Sequence, residues 1–267
     1  MKRLIASTVA ALLACCVAVF AITNGTIDAV HTYVGAVIAL NVFGLTGFTG
    51  GNGFVSCTGT LVSPRVVLTA GHCINLVTSF GVTPDQLHVS FDATNVYTPS
   101  NSWLAVSGFA VMPGFQVTNG TLPVTNDIAV VILAKPVHGI TPARLAPVGL
   151  LDTFPALNKA VVSALGYGLN EQLVLTGNRL ITTSAVIGLS DTWLKVAQTP
   201  GTTCNFDSGG PALLVDGPTE YQVGVLSSGT GDGFTGKDGG CGINGYYTRV
   251  DTAAVQSFVQ AQIVANP

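Results

Sequence analysis

Short apolar segments rich in Val and Ile recur along the chain from residue 33 onward, each bounded by Gly, Pro, Asn or Thr. They are YVGAVIALNVF, RVVLTA, DIAVVILA, AVVSALGYG and YQVGVLSSG. Such β-branched runs between turn formers are typical of strands. The pattern therefore predicts an all-β protein.

One segment has a helical pattern instead, DTAAVQSFVQAQIV at residues 251–264. Its apolar residues fall on one helical face. They are Val255, Phe258, Val259 and Ile263. We expect this terminal helix to dock against a barrel formed by the strands. The prolines of AKPVHGITPARLAP mark a link between two halves of the chain.

Composition narrows the class of protein. The 267 residues suffice for one large β domain or two smaller ones. Only 9% of them are charged, and 32 are glycine, which argues against long salt-bridged helices. The net charge of −3, with no Lys/Arg stretch interleaved with aromatics, predicts no nucleic-acid partner.

Residues 1–21 have a positive start, an apolar run and small residues before a cut after Ala21. This pattern predicts a signal peptide and hence a secreted, extracellular protein. The apolar run is slightly long, so an uncleaved membrane anchor is the alternative. With the leader cleaved, we expect no stable membrane association.

Two of the six cysteines lie within this leader. The other four are Cys57, Cys73, Cys204 and Cys241. Four cysteines allow three pairings, and an exported protein meets an oxidising compartment where disulfides persist. No CxxC spacing or His/Cys cluster indicates zinc, so we expect no metal and no cofactor.

Three motifs at strand edges carry candidate chemistry. In LTAGHC, His72 follows a small-residue corner and is tied by Cys73, which would fix the imidazole at the rim of a cleft. In TNDIAVVIL, Asp127 precedes six apolar residues, and a buried carboxylate needs a partner. A histidine ring nitrogen is a suitable donor and leaves the other nitrogen as a base. The alternatives are a structural histidine and a strand cap.

In CNFDSGGP, Ser208 lies between Asp207 and two glycines. Small neighbours allow a tight turn that exposes the hydroxyl. A serine needs a general base to become a nucleophile, and His72 is the candidate. The alternative is an ordinary loop rich in Ser and Gly.

Taken together, LTAGHC, NDIAVVIL and CNFDSGGP resemble the chymotrypsin/trypsin family of serine endopeptidases, in the family's order of His, Asp and Ser. SCTGTLVSP, ALGYG and INGYYTRV extend the resemblance over nearly all of the chain after the leader. It implies two antiparallel six-stranded β-barrels with a cleft between them and a C-terminal helix. We place the barrels at residues 22–140 and 141–267.

The resemblance implies that Ser208 attacks the scissile carbonyl of a protein or peptide substrate, that His72 relays the proton, and that Asp127 orients the imidazole. It also implies the disulfides Cys57–Cys73 and Cys204–Cys241. A cut after Ala21 would expose Ile22, whose amine in the family pairs with the acid before the nucleophile. That acid is Asp207. We hypothesise that leader removal alone gives the active form; the alternative is a terminus that merely begins a strand.

Phe206 is the main departure, because the family places glycine there and uses its N–H, with that of Ser208, as the oxyanion hole. A left-handed backbone at Phe206 would cost about 1–2 kcal/mol. A flipped peptide would instead lose about 2.7–4 kcal/mol of transition-state stabilisation. The complete triad favours activity, and the side chain should crowd the leaving-group side.

The resemblance also implies a specificity pocket. Its residues are Thr202 at the floor, Ser227, Ser228 and Gly229 on the wall, and Gly245 across. The absence of an acid at the floor favours a neutral or apolar substrate side chain over Lys or Arg. The alternative function is a binding or adhesion protein on the same scaffold, silenced by Phe206. We expect the remaining histidines, His31, His88 and His138, at the surface.

Overall fold

The computed structural model describes residues 22–40, 53–97, 102–116, 124–197, 201, 203–230, 241 and 243–267. The first strand, β1 (Thr26–Ile27), joins the second half of the molecule. The first barrel consists of β2 (Val34–Leu40), β3 (Gly53–Ser63), β4 (Val66–Thr69), β5 (Leu87–Ser90), β6 (Leu104–Val111) and β7 (Ala129–Leu133). These strands are antiparallel and close in the order β2-β3-β4-β7-β6-β5.

Six further strands form the second barrel. They are β8 (Val161–Gly166), β9 (Leu180–Leu189), β10 (Trp193–Ala197), β11 (Pro211–Asp216), β12 (Thr219–Thr230) and β13 (Asn244–Arg249). The order is β9-β10-β13-β12-β11-β8, and a β8–β9 pairing closes it, with β1 added beside β9. The prediction of two six-stranded antiparallel barrels is confirmed. The division between residues 140 and 141 stays a prediction.

Strand β7 shows why its sequence is an unbroken apolar run. Ala129, Val131 and Leu133 face the core of the first barrel. Val130 and Ile132 face a second cluster, outside that core. Because successive strand residues point to opposite faces, a strand buried on both sides needs apolar residues at every position.

The cluster outside β7 holds the C-terminal helix against the first barrel. This helix, α3 (Ala253–Ala265), buries Val255 and Val259 there, with Phe258 and Ile263 packed beside them. The Thr252 hydroxyl accepts a hydrogen bond from the Val255 N–H (3.4 Å) and caps the helix start. The prediction of a terminal helix docked by one apolar face is confirmed.

Two other α-helices are α1 (Gly71–Ser79) and α2 (Leu150–Thr153), and Pro84–Gln86 and Leu157–Lys159 are 3-10 helices. Helix α1 was missed because Ile74, Val77 and Thr78 are β-branched and form helices weakly. Ile74 and Val77 are nevertheless buried in the first barrel's core, and this packing outweighs their low propensity. None of the helices in the described ranges is long and apolar enough to cross a membrane. The predicted leader lies outside the described residues.

The prediction that three histidines lie at the surface is correct only for His138, which is exposed. His88 lies on β5, and its Nδ1 is buried. The His31 side chain is only 13% exposed because it joins a cluster of charged residues. One of its charged partners, Asp28, is three positions away, but the other, Glu220, comes from the second barrel, and a local pattern does not show it.

Candidate active site

The pairing of β4 with β7 brings His72 and Asp127 together. Thr69 at the end of β4 lies opposite Ala129 at the start of β7, so the residues just beyond them leave the sheet at the same end. The Asp127 carboxylate accepts one hydrogen bond from the His72 backbone N–H and one from His72 Nδ1, both at 2.7 Å. The first of these satisfies an N–H group that the start of α1 would otherwise leave unpaired.

The Asp127 carboxylate is fully buried and also accepts a hydrogen bond from the Ser227 hydroxyl, at 2.6 Å. Burial alone would raise the pKa of Asp127, but the charge and hydrogen bonds of His72 and the bond from Ser227 outweigh it and lower that pKa. Because an ionised carboxylate can only accept, His72 Nδ1 carries a hydrogen, and in the neutral form of the ring Nε2 then holds the lone pair. The His72 side chain is 32% exposed, so this nitrogen is accessible as a base.

Ser208 lies next to His72, in the turn before β11. The Ser208 carbonyl oxygen and His72 Nε2 lie 3.7 and 3.8 Å from the same atom, Cys73 Sγ. The Ser208 carbonyl also accepts a hydrogen bond from the Thr58 N–H (2.8 Å) on β3. Within the described residues, the Ser208 hydroxyl makes no hydrogen bond with the His72 ring. Catalytic hydrogen bonds of this kind commonly tighten only when substrate binds.

Gly209 lets the Ser208 turn approach the first barrel closely. A Cβ at Gly209 would lie 2.1 Å from Thr69 Oγ1 and 2.3 Å from the Thr58 carbonyl oxygen. The Gly209 φ of +83° is also a conformation that residues with side chains rarely adopt. The serine therefore sits on a turn that packs directly against the strand leading to His72.

Asp207 is fully buried behind this turn. Its carboxylate accepts hydrogen bonds from the Cys204 N–H (2.8 Å) and the Gly168 N–H (2.7 Å). Burial raises the pKa of Asp207 to about 7, against the lowering effect of the two hydrogen bonds. Among the described residues it has no ion-pair partner, and the Ile22 side chain is buried beside Leu180. The pairing of the Ile22 amine with Asp207 stays a prediction.

Phe206 has a φ of +76°, in the left-handed region. Of the two backbone conformations that the sequence suggests for Phe206, the left-handed one is therefore observed. The Phe206 ring lies edge-to-face against Phe54, with ring centroids 5.1 Å apart. Such aromatic pairs add about 0.5–1.5 kcal/mol beyond their burial, which offsets part of the backbone cost.

The residues predicted to form the pocket wall lie on β12 and β13. Gly229 is opposite Gly245, and Ser228 is opposite Tyr246. The Ser227 hydroxyl also binds Asp127, and the place of Ser227 in the pocket wall stays a prediction. Thr202 lies outside the described residues, so the predicted floor of the pocket stays a prediction.

The cysteines form the two predicted disulfides, Cys57–Cys73 and Cys204–Cys241. Potential metal-ligand atoms of Cys57, His72 and Cys73 lie within 4.8 Å of one another. The two sulfurs are bonded together, so they cannot act as thiolate ligands.

Two buried residues near the site were missed from the sequence. Thr58 contacts the nucleophile turn from β3. The pKa of Tyr247 on β13 is raised by burial and then by the charge of Asp207. Both residues stand in stretches that carry the resemblance, SCTGTLVSP and INGYYTRV. Their contacts with the site depend on the pairing of distant segments, which those stretches do not show.

Comparisons with known proteins agree with this geometry. The family model described as Trypsin matches residues 42–256. A chymotrypsin from Phaedon cochleariae is 28% identical over 193 residues, a match that covers 66% of this chain. The match covers 63% of that protein's own length.

Proposed function

The chain belongs to the trypsin family of serine proteases, and from this membership we propose that it is a secreted serine endopeptidase acting through Ser208, His72 and Asp127. One observation carries the proposal. Asp127 is buried and holds His72 by two hydrogen bonds, while Nε2 of the partly exposed ring lies beside the Ser208 turn.

In the proposed reaction, Ser208 Oγ attacks the scissile carbonyl carbon while its proton passes to His72 Nε2. Asp127 stabilises the resulting imidazolium. The N–H groups of Phe206 and Ser208 donate to the carbonyl oxygen as it becomes an anion. His72 then gives the proton to the leaving amine. In the second half of the reaction, water attacks the acyl carbon and gives a proton to His72, which returns it to Ser208 Oγ as the acyl bond breaks.

For the substrate we propose a protein or peptide with a neutral or apolar side chain before the scissile bond. The support is the resemblance, which places Thr202 at the pocket floor, where an acid would favour Lys or Arg. Gly229 and Gly245 are opposite each other on β12 and β13, and they would add no charge to the predicted pocket wall. A fluorogenic peptide library that varies this position tests the preference, and strongest cleavage after Arg or Lys would contradict it.

For maturation we propose that removal of residues 1–21 suffices, and that the freed Ile22 amine pairs with Asp207. The support is the burial of this carboxylate, since a cation beside it would keep it ionised. An α-amino group titrates near pH 8, so activity should decline above that pH as the amine loses its charge. N-terminal sequencing of the active protein should find Ile22 first.

The decisive test is mass spectrometry of the mature protein after treatment with a fluorophosphonate, with Ser208→Ala as the control. We expect one adduct on the wild-type protein and none on the variant. No adduct on a folded protein that begins at Ile22 would favour the alternative, a binding protein that Phe206 has silenced.

A further inference from the structure

Thr58 on β3 joins the first barrel to the nucleophile turn. The residue is fully buried. Its hydroxyl accepts a hydrogen bond from the Tyr167 N–H (3.1 Å) and donates one to the Phe206 carbonyl oxygen (3.2 Å). Its backbone N–H binds the Ser208 carbonyl (2.8 Å), and its own carbonyl is held by the Thr69 hydroxyl (2.8 Å). Since a hydroxyl has one hydrogen, the bond from Tyr167 leaves that hydrogen for Phe206.

These contacts bear on the unusual backbone of Phe206. The peptide group before Phe206 is held where the Asn205 carbonyl accepts a hydrogen bond from the Leu169 N–H (3.0 Å). The peptide group after Phe206 is held by the Thr58 hydroxyl. The φ and ψ angles of Phe206 together set the relative orientation of these two anchored groups, so the anchors favour the observed φ of +76°. Of these two anchors, the one from Thr58 is a side chain.

We infer that Thr58 is a positioning residue for the oxyanion hole. Its hydroxyl holds the Phe206 peptide in the left-handed conformation, which costs energy for any residue with a Cβ. The oxyanion hole proposed above uses the N–H groups of Phe206 and Ser208, so its geometry depends on this conformation. This inference rests on the proposed protease function and adds a residue from the first barrel to its machinery.

Matched variants separate this role from a merely structural one. Thr58→Val removes the hydroxyl and keeps the shape, whereas Thr58→Ser keeps the hydroxyl. Thr60→Val is the control, because Thr60 is also fully buried on β3 and its hydroxyl has no hydrogen-bond partner among the described residues. All variants are made in the full-length chain and assayed as mature protein.

We expect Thr58→Val to lower kcat about 10- to 100-fold, below the loss seen when a whole oxyanion donor is removed, with KM changed less than about twofold. Thr58→Ser and Thr60→Val should keep kcat within about threefold. The Kd of a peptide boronate, which forms a tetrahedral adduct on the serine, should rise with Thr58→Val by about the same factor as kcat falls. If Thr58→Val does not fold, Thr58→Ala compared with Thr58→Ser carries the same test, because the two differ only in the hydroxyl.

The sharpest test measures the effect of Thr58→Val in a protein that also carries Phe206→Gly. Glycine adopts a left-handed backbone at little cost, so Thr58→Val should lower kcat less than about threefold there. An equal loss in both backgrounds, or equal kcat for Thr58→Val and Thr58→Ser, would overturn the inference and leave the protease function standing. A wild-type protein that neither cleaves peptides nor takes the fluorophosphonate label would contradict both the inference about Thr58 and the proposed protease function.

Discussion

The described residues include two histidine–aspartate pairs of almost the same geometry. His72 Nδ1 lies 2.7 Å from Asp127, and His31 Nδ1 lies 2.7 Å from Asp28. In both pairs the histidine's backbone N–H also donates to the partner carboxylate. The difference lies at the far ring nitrogen. His31 Nε2 is 3.2 Å from Glu220, whereas His72 Nε2 is 3.8 Å from Cys73 Sγ, which also contacts the carbonyl oxygen of Ser208, the candidate nucleophile.

The surroundings of the far nitrogen therefore decide what such a pair can do. The pKa of His31 is raised by its hydrogen bond to Asp28, despite burial, and further by Glu220. Burial would raise the pKa of Asp28, but hydrogen bonds from His31 and the buried Arg179 lower it to about 2. This cluster is a fixed ion network that ties the segment after Ile22 to the second barrel. Among the described residues, no second carboxylate contacts the His72 ring, which suits the role as a base that we propose for it.

Asp127→Asn should give the largest effect. An amide in place of the carboxylate favours the wrong tautomer of His72, and kcat should fall about 10⁴-fold. The thermal midpoint should change little, because the asparagine oxygen can still accept from the start of α1. Steady-state kinetics with a cleaved peptide measure the fall in kcat. A fall below about tenfold would contradict a catalytic role for the pair of His72 and Asp127.

Asp28→Asn should act on stability instead. It leaves the buried guanidinium of Arg179 without its carboxylate, and breaking a buried ion pair costs about 3–5 kcal/mol. Urea unfolding measures this loss, and kcat of the folded variant should stay within about threefold of wild type. Asp216→Asn, at an exposed position, is the control. Loss of kcat comparable with that of Asp127→Asn would contradict the assignment.

His31→Gln should reveal a pH-dependent contribution. The pKa of His31 is raised in the folded state, so its stabilisation is complete below its ordinary pKa of 6.5 and is lost as pH rises through the folded value. At pH 6 the variant should be about 1.5–3 kcal/mol less stable than wild type, as for hydrogen bonds between charged groups. The gap should narrow at alkaline pH. His138→Gln, at an exposed position, should show a flat difference.

Glu220→Gln should have the smallest effect and sharpen the comparison most. It makes the far side of His31 resemble that of His72 by removing the second carboxylate. The Glu220 side chain is 31% exposed, so the loss should stay below about 1 kcal/mol. The pH dependence of stability should weaken, since Glu220 contributes to the raised pKa of His31. A pH profile identical to that of wild type would show that Asp28 alone sets the state of His31.

Sequence patterns predicted the structural features that depend on residues adjacent in the chain. The strands followed from their apolar runs, and His72, Asp127 and Ser208 stood out through their immediate neighbours. The same patterns did not predict contacts between segments that are distant in the sequence. Asp28 and Arg179 are 151 positions apart, and Thr58 and Phe206 are 148 apart. No local pattern could show that His31 is half-buried or that a threonine supports Phe206.

The contact between Thr58 and Phe206 also restricts which substitutions these two positions can accept during evolution. A glycine at 206 would free position 58 from its need for a hydroxyl. While phenylalanine stands at 206, loss of the threonine would weaken the turn that carries Ser208. The two positions, one in each barrel, should therefore be inherited as a pair, and the order of substitution should run through glycine at 206 first.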